Sequence, residues 1–409
     1  MSATSTGLSA VAESYPGGEI LIALEAADRG SATDSAAAIR ARLSERFSGC
    51  HATVLVTTAE PDASLVEPVD APELPRAAPT LAGAAIAGQQ SALRAVLEET
   101  DRRGARAAAL LSAGAHDESL DWLGQLFQPI LEADFEFVSP SYRRNRFDGM
   151  LNTAIVYPLV RALFGRRLRH PTGSEAAFSV TLARSLLGQP AWRRDPAYAG
   201  SAAWLVGSIL AGPCRACQAW LGRWPGGAGP AEDASHALAR IVGPWFHEME
   251  RHAERWQRVE GSEPVPSFGQ GAALDGERSD VDLAALEDGF RLGLRELESL
   301  WGLVLPPATL LALRRAAAAP AGKARVSDPV WARIVYDFAV AYSVRAVERQ
   351  QLLRSMTPLY LGWVRGFVED VRELDADGTE ARVEALCDWF EREKRYGIAR
   401  WRWPDNFNP

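Results

Sequence analysis

Apolar residues in the first third of the chain fall into short continuous runs, separated by stretches with helical spacing. Glu19-Ile20-Leu21-Ile22-Ala23-Leu24 reads as a buried strand, Ser35 to Phe47 as a helix and Ala52-Thr53-Val54-Leu55-Val56-Thr57 as a second strand. Runs this short, flanked by turn formers, suit a strand better than a helix. A Pro/Asp/Ala-rich stretch from Pro61 to Thr80 reads as loop, and a helix is expected from about Gln90 to Arg102. Arg106 to Leu111 then reads as strand, Trp122 to Ala133 as helix and Phe135-Glu136-Phe137-Val138 as a fourth strand. Alternating strands and helices predict a mostly parallel sheet flanked by helices, an α/β arrangement.

Past Gly226-Gly227-Ala228-Gly229-Pro230 the spacing becomes helical throughout. Leu283, Leu286, Phe290, Leu294, Leu297 and Trp301 share one face, with Ser279 and Asp280 as candidate caps. Asp328-Pro329 starts another helix, whose Trp331, Val335, Phe338 and Tyr342 make an apolar core stripe. The pattern divides the chain into a mobile tail over 1–17, an α/β domain over 18–225 and a helical C-terminal domain over 226–409. Gly261 to Gly276 is expected as a long connection inside the last of these.

Composition narrows the function classes. With 409 residues, 47% apolar, the chain is long enough for packed cores and too apolar for disorder. A net charge of −8 argues against nucleic acid as a general partner. No segment approaches the ~18 consecutive apolar residues of a membrane span, and Met1 to Gly7 lacks the basic and apolar regions of a secretory signal, so a cytoplasmic location is expected. Cys214 and Cys217 form a lone CxxC, read as two buried thiols one helical turn apart rather than a zinc site. His247 and His252 are five apart and fall on different helix faces, which excludes the zinc-protease pattern that His247-Glu248 suggests.

The most distinctive stretch runs from Phe137 to Ala183. It gathers Arg143, Arg144, Arg146, Asp148, Arg166, Arg167 and Arg169 around a strand end and an apolar helix. Arginine forks suit phosphate or carboxylate ligands, because they donate two parallel hydrogen bonds. A salt-bridged loop is the competing reading. The order of residues here, from Tyr142-Arg143-Arg144-Asn145-Arg146-Phe147-Asp148-Gly149 through Ile155-Val156-Tyr157-Pro158-Leu159 to Arg169-His170-Pro171, resembles the GT-A-fold sugar-nucleotide glycosyltransferases of the glucosyl-3-phosphoglycerate and mannosylglycerate synthase branch. The likeness continues through Arg215 to Gly222, Gly261 to Pro266, Arg333 to Ala339 and Thr357 to Gly362, and so spans about residues 18 to 395.

The resemblance implies a GT-A-like sheet with a helical C-terminal domain, and it shows where this chain departs. Where those enzymes place the DxD that holds a divalent metal, this chain has Ser112-Ala113-Gly114, with Asp117 and Glu118 further on. The turn under the nucleotide reads Ala23-Leu24-Glu25-Ala26-Ala27, and the acidic residue that recognises the base is Ala59. The lysine loop is Gly88-Gln89-Gln90, and the segment that supplies a metal histidine is Arg223-Trp224-Pro225-Gly226. Glu25, Ala59, Gly88, Gln89, Ser112 and Gly114 thus mark a vestigial donor pocket.

Without partners, a desolvated diphosphate is costly, so no cofactor and no divalent metal are expected. The acceptor side keeps Arg144, Arg146, Asn152 and Arg169 as candidate binders of a small phosphorylated or carboxylate ligand, with Glu175 or Asp148 as base if the protein is active. Three expectations follow. The first is a non-catalytic homologue of bacterial-type carbohydrate metabolism, a pseudoenzyme that binds a ligand or assembles with an active relative or a second copy. The second is a metal-independent transferase moving a hexose to a small hydroxy acid or polyol. The third is a structural or oligomerisation protein whose cleft is filled by side chains such as Leu24 and Trp224.

Overall fold

A computed structural model of the chain describes residues 18–26, 29–47, 49–58, 92–112, 120–173, 175–195, 198–224, 233–271, 274–275 and 281–404. The tail over 1–17, the Pro61 to Thr80 loop, Ser279 and Asp280 lie outside them. The α/β half runs β1 (Gly18–Ala26), α1 (Arg29–Arg46), β2 (Cys50–Thr58), α2 (Ala92–Arg103), β3 (Ala107–Ser112), α3 (Trp122–Ala133), β4 (Phe137–Asn145), a π-helical turn (Asn152–Val156), α4 (Tyr157–Phe164) and β5 (Arg166–Arg167). It continues with β6 (Ala176–Ser179), α5 (Val180–Leu187), α6 (Ala191–Arg194), α7 (Ala202–Ala211) and β7 (Ala216–Arg223). Then come α8 (Ala234–Arg251), α9 (Ala253–Trp256), β8 (Glu263–Pro264), β9 (Ser267–Phe268) and β10 (Leu274–Asp275). Six helices follow: α10 (Leu283–Trp301), α11 (Pro307–Ala317), α12 (Asp328–Val344), α13 (Arg349–Ser355), α14 (Thr357–Val371) and α15 (Ala376–Arg402).

The main sheet has the order β2-β1-β3-β6-β4-β7-β9, with β10 added beside β4. All of its pairings are parallel except those of β6, which runs antiparallel to β3 and β4. Alternate residues of each strand face opposite sides. Ile20, Ile22 and Leu24 pack with α1 and α3, whereas Leu21, Ala23 and Phe137 face the core that continues into the C-terminal helices. The outcome is the mostly parallel, helix-flanked sheet that the alternation predicts, with a helical C-terminal region.

Several local expectations are corrected. Cys214 and Cys217 are not on a helix: Cys217 is buried in strand β7 and Cys214 lies before it, so the pair follows strand geometry. The Gly261 to Gly276 segment is not a connection inside the helices. It returns to the sheets, with β9 pairing β7 and β10 pairing β4, while β8 forms a small separate sheet with β5. Helix α10 is capped by Asp282, whose carboxylate accepts from Ala285 N at 2.9 Å. No helix among the described residues is long and apolar enough to cross a membrane.

The C-terminal helices cross closely where glycine permits. Ala at 293 would place its Cβ 2.1 Å from Pro358 Cβ, and a proline ring has little freedom to yield. Helix propensity favours Ala over Gly by about 1 kcal/mol, while overpacking costs about 1–3 kcal/mol and more against a rigid partner. Gly293→Ala is therefore expected to lower the melting temperature by a few degrees. An unchanged or higher melting temperature in calorimetry would mean that α10 and α14 do not pack this tightly.

Candidate functional site

The segment that carries the arginines folds as strand, tight turn and helix. Strand β4 ends in Tyr142, Arg143, Arg144 and Asn145, and the turn that follows is closed by its own polar groups. Asp148 accepts from Asn145 N at 3.2 Å, and Asn145 Oδ1 accepts from Phe147 N at 3.1 Å. Gly149 adopts φ +63°, a conformation that disfavours any other residue, and its missing Cβ leaves room for the Arg144 Nη1. A π-helical turn over Asn152–Val156 then leads into α4, which is buried along its whole length.

The arginines disperse to separate tasks. Arg146 reaches across to the end of α14, where Nη1 donates to Val371 O at 2.6 Å and to Leu374 O at 2.9 Å. Arg169 grips Glu380 on α15 with two bonds, at 2.7 and 3.2 Å, and lies 5.0 Å over the Tyr157 ring. Burial opposes its charge, but Glu380 outweighs burial and holds its pKa above the usual value. Asn152 donates to Arg169 O at 3.0 Å, which fixes the loop that presents this arginine. Arg166 pairs with Glu263 at 3.2 Å, and Arg167 donates to Ser262 Oγ at 3.1 Å. These members bond within the chain and do not converge on one point.

Arg144 differs. It is 7% exposed, stacked 4.3 Å over Trp224 and 5.4 Å over Tyr142, and among the described residues it forms no ion pair. Its buried Nε has no hydrogen-bond partner. Burial first, and the charge of Arg169 second, pull its pKa down to about 9. His170 lies beside it, 5.7 Å from the Tyr142 ring, with Nδ1 also unpartnered. Its pKa falls well below the usual histidine value through burial and then the charges of Arg144 and Arg169. Glu175, fully buried, accepts a hydrogen bond from the Tyr142 hydroxyl. His170, Ser139 and Glu175 line a cavity of about 10 Å³, room for one water molecule and no more.

The vestigial donor positions are only partly described. Glu25 and Ser112 are register partners at the ends of β1 and β3, and Ala59, Gly88, Gln89, Gly114, Asp117, Glu118 and Pro225 lie outside the described residues. Leu24 is a core residue under α1 and α3, while Trp224 covers Arg144. His252 Nε2 lies 3.0 Å from the buried Glu248, and His247 lies 3.5 Å from both Asp195 and Glu250, so the two histidines face separate carboxylates.

Sequence reasoning missed the residues that organise this region. Arg161 on α4 is 2% exposed and meets three carboxylates of α15: Glu384, Asp388 at 2.7 Å and Glu391 at 2.5 Å. Lys394, buried further along α15, donates at 2.6 Å to both Ala162 O and Val259 O, and burial lowers its pKa to about 8. The signal was present, because Glu380, Glu384, Asp388 and Glu391 recur at helical spacing on one face.

No family profile and no curated protein matches the chain. Solved structures do. Glucosyl-3-phosphoglycerate synthase from Mycobacterium tuberculosis, in complex with Mg2+ and uridine diphosphate, is 17% identical over 57% of this chain and 79% of that one, with a TM-score of 0.37. The same enzyme with Mn2+, UDP-glucose and phosphoglyceric acid is 16% identical over 57% and 80%, with a TM-score of 0.37. Mannosyl-3-phosphoglycerate synthase from Rubrobacter xylanophilus is 13% identical over 60% and 78%, also at 0.37. These synthases are of the glycosyltransferase group that the sequence resembles, and at such values the likeness transfers no residue role. The expectation that no divalent metal takes part is nonetheless corrected, since matched structures hold Mg2+ or Mn2+ together with uridine diphosphate or UDP-glucose.

Two outcomes follow from the buried charges. Arg161→Met leaves three carboxylates facing each other without their cation, which is expected to cost about 3 kcal/mol; a melting temperature within a degree of the wild type would show that α15 does not depend on it. His170 is held neutral in the fold but protonates near pH 6.5 when unfolded. The unfolded chain therefore binds more protons below that pH, and stability falls as pH drops from about 7 toward 5. His170→Phe is expected to make that fall shallower in urea titrations, and an unaltered slope would contradict the assignment.

Proposed function

We propose that this chain is a glycosyltransferase-like protein that acts by binding or assembly rather than by sugar transfer. The observation that carries the reading is the commitment of Arg146, Asn152 and Arg169, polar residues of the segment resembling an acceptor side, to bonds within the chain. A catalytic group must reach the reacting atoms. Glu175 is sealed against Tyr142, and Asp148 closes its own turn. Aligned positions that would carry donor chemistry read Ala59, Gly88-Gln89 and Ser112. With this reading goes the division into 18–225 and 226–409, the second part clamping the first through α15.

The test is direct. Purified protein is incubated with UDP- and GDP-sugars and a panel of small phosphorylated acids, with Mg2+ or Mn2+ present. Neither donor hydrolysis nor a glycoside is expected above a heat-inactivated control. A metal-stimulated product that Glu175→Gln abolishes would overturn the reading and restore a transferase.

A further inference from the structure

Of the six large apolar side chains that the described residues leave exposed, three lie on one pair of helices: Leu292 on α10 is 51% exposed, Leu303 in the turn after it 69% and Leu311 on α11 45%. The inner side of α10 is committed. Phe290, Gly293 and Trp301 are buried, with Gly293 against Pro358 and Gly289 against Leu361 of α14. On the opposite flank Glu298 pairs with Arg314 of α11, and Arg291 donates to Ala319 O at 2.7 Å. Between these flanks Ala285, Asp288, Leu292, Arg295, Glu296 and Ser299 are all exposed. Asp288 and Arg295 form no ion pair among the described residues, whereas Glu287 and Glu298 of the same helix each do. At ~100° per residue, Asp288 and Arg295 lie within about 20° of each other round the helix, on one side of Leu292, and about 10 Å apart along it, too far to pair within one chain.

We infer that this face of α10 is where a second copy of the chain docks, its α10 laid antiparallel about a two-fold axis through Leu292. Such an axis reverses the direction of the helix while keeping each of its sides opposite the same side of the other. Leu292 then meets the partner's Leu292. Asp288 falls opposite the partner's Arg295, and symmetry makes the contact twice. Charge complementarity selects the occupant, because the face carries an acid and a base at the separation that its own copy satisfies. A partner of uniform charge, or a wholly apolar one, would leave at least one of the two unmet. Leu303 extends the contact toward the start of the second helix, and Leu311 widens it on the α11 side. Helix α10 has 19 residues, about 28 Å at ~1.5 Å each; with a neighbouring helix ~10 Å away, the face covers roughly 550 Å² per copy, just above the ~1,000 Å² in total that a specific pair needs. The dimer is therefore reversible rather than obligate. The inference goes beyond the proposed function: it uses no residue of the candidate site and holds whether or not sugar transfer occurs.

The experiment is analytical ultracentrifugation of the full chain over roughly 1 to 200 μM, where a monomer–dimer equilibrium is expected with a dissociation constant on the order of 10 μM. Asp288→Arg and Arg295→Asp each set like charges against one another across the two-fold axis, and each is expected to weaken self-association by roughly tenfold or more. The double variant, which exchanges acid and base, is expected to recover it. An equal mixture of the two single variants is expected to recover it too, because they complement each other. Leu292→Arg, which puts two cations on the axis, is expected to abolish the dimer. All three positions are exposed, so the folded monomer tolerates the changes. A wild type that sediments as a monomer throughout overturns the inference, whatever the variants do. A dimer that persists unweakened in Leu292→Arg and in both single charge variants also overturns it, since the contact would then lie elsewhere. Single variants that weaken without recovery in the double variant or in the mixture refute the antiparallel pairing. A transferase product in the assay above would refute the proposed function while leaving this result standing.

Discussion

The structure depends on the meeting of one basic surface with one acidic ridge. Helix α15 presents Glu380, Glu384, Asp388 and Glu391 along a single face, and they close on Arg169 and Arg161 from the α/β half. Tyr157 adds a hydroxyl bond to Glu384 at 2.8 Å, and Lys394 ties the same helix to the carbonyls of Ala162 and Val259. Buried ion pairs contribute little net stability, because desolvation offsets attraction, yet breaking one side of them is severe. Their effect here is therefore on specificity. The apolar stripe of Val383, Leu386 and Phe390 sets which face of α15 turns inward, and the charges add a second constraint on its rotation and register.

The apolar core and the charged clasp have separate consequences. One core cluster is continuous from Leu21 and Phe137 of the sheet to Trp331, Trp363 and Phe390 of the C-terminal helices, so hydrophobic burial supplies the bulk of cohesion between the halves. Burial is not directional. The Trp331 indole donating to Ala154 O at 2.8 Å, and Arg146 donating to the carbonyls at the end of α14, give the apolar contact its orientation. Carbonyls at a helix end need partners in any case, and Arg146 meets one of them, Val371 O, together with Leu374 O in the turn beyond the helix.

Much of the fold was legible because short apolar runs and helical stripes are local signals. Helix α3 falls where the pattern puts it, Trp122 to Ala133, β1 and β2 extend their expected runs by one or two residues at each end, and β3 lies one residue further along than expected. The short strands β8, β9 and β10 were not legible, since two-residue pairings leave no periodicity and take their shape from the sheets they join. At the candidate site, residue type was readable and partnership was not. Arg144, Arg146 and Arg169 are chemically alike in sequence, and only tertiary distance separates the one facing Val371 O or Glu380 from the one facing no carboxylate. The row of acids on α15 could have been found by the same periodicity that found the apolar stripes, had charge been scanned as hydrophobicity was.

That separation sets a stacked arginine apart from the clasped ones. The buried arginines of the Phe137 to Arg169 stretch find different partners: Arg161 and Arg169 meet acids of α15, Arg146 meets backbone carbonyls, and Arg144 is stacked on aromatic rings. Asp148 acts on Arg144 through its charge, against the pull of burial and of Arg169. Its carboxylate also holds the turn, and Trp224 stacks over the guanidinium. An aromatic face compensates part of a cation's charge without neutralising it. Stacking of that kind leaves the buried Nε of Arg144 without a hydrogen-bond partner, whereas an ion pair directs the fork of Arg169 onto Glu380.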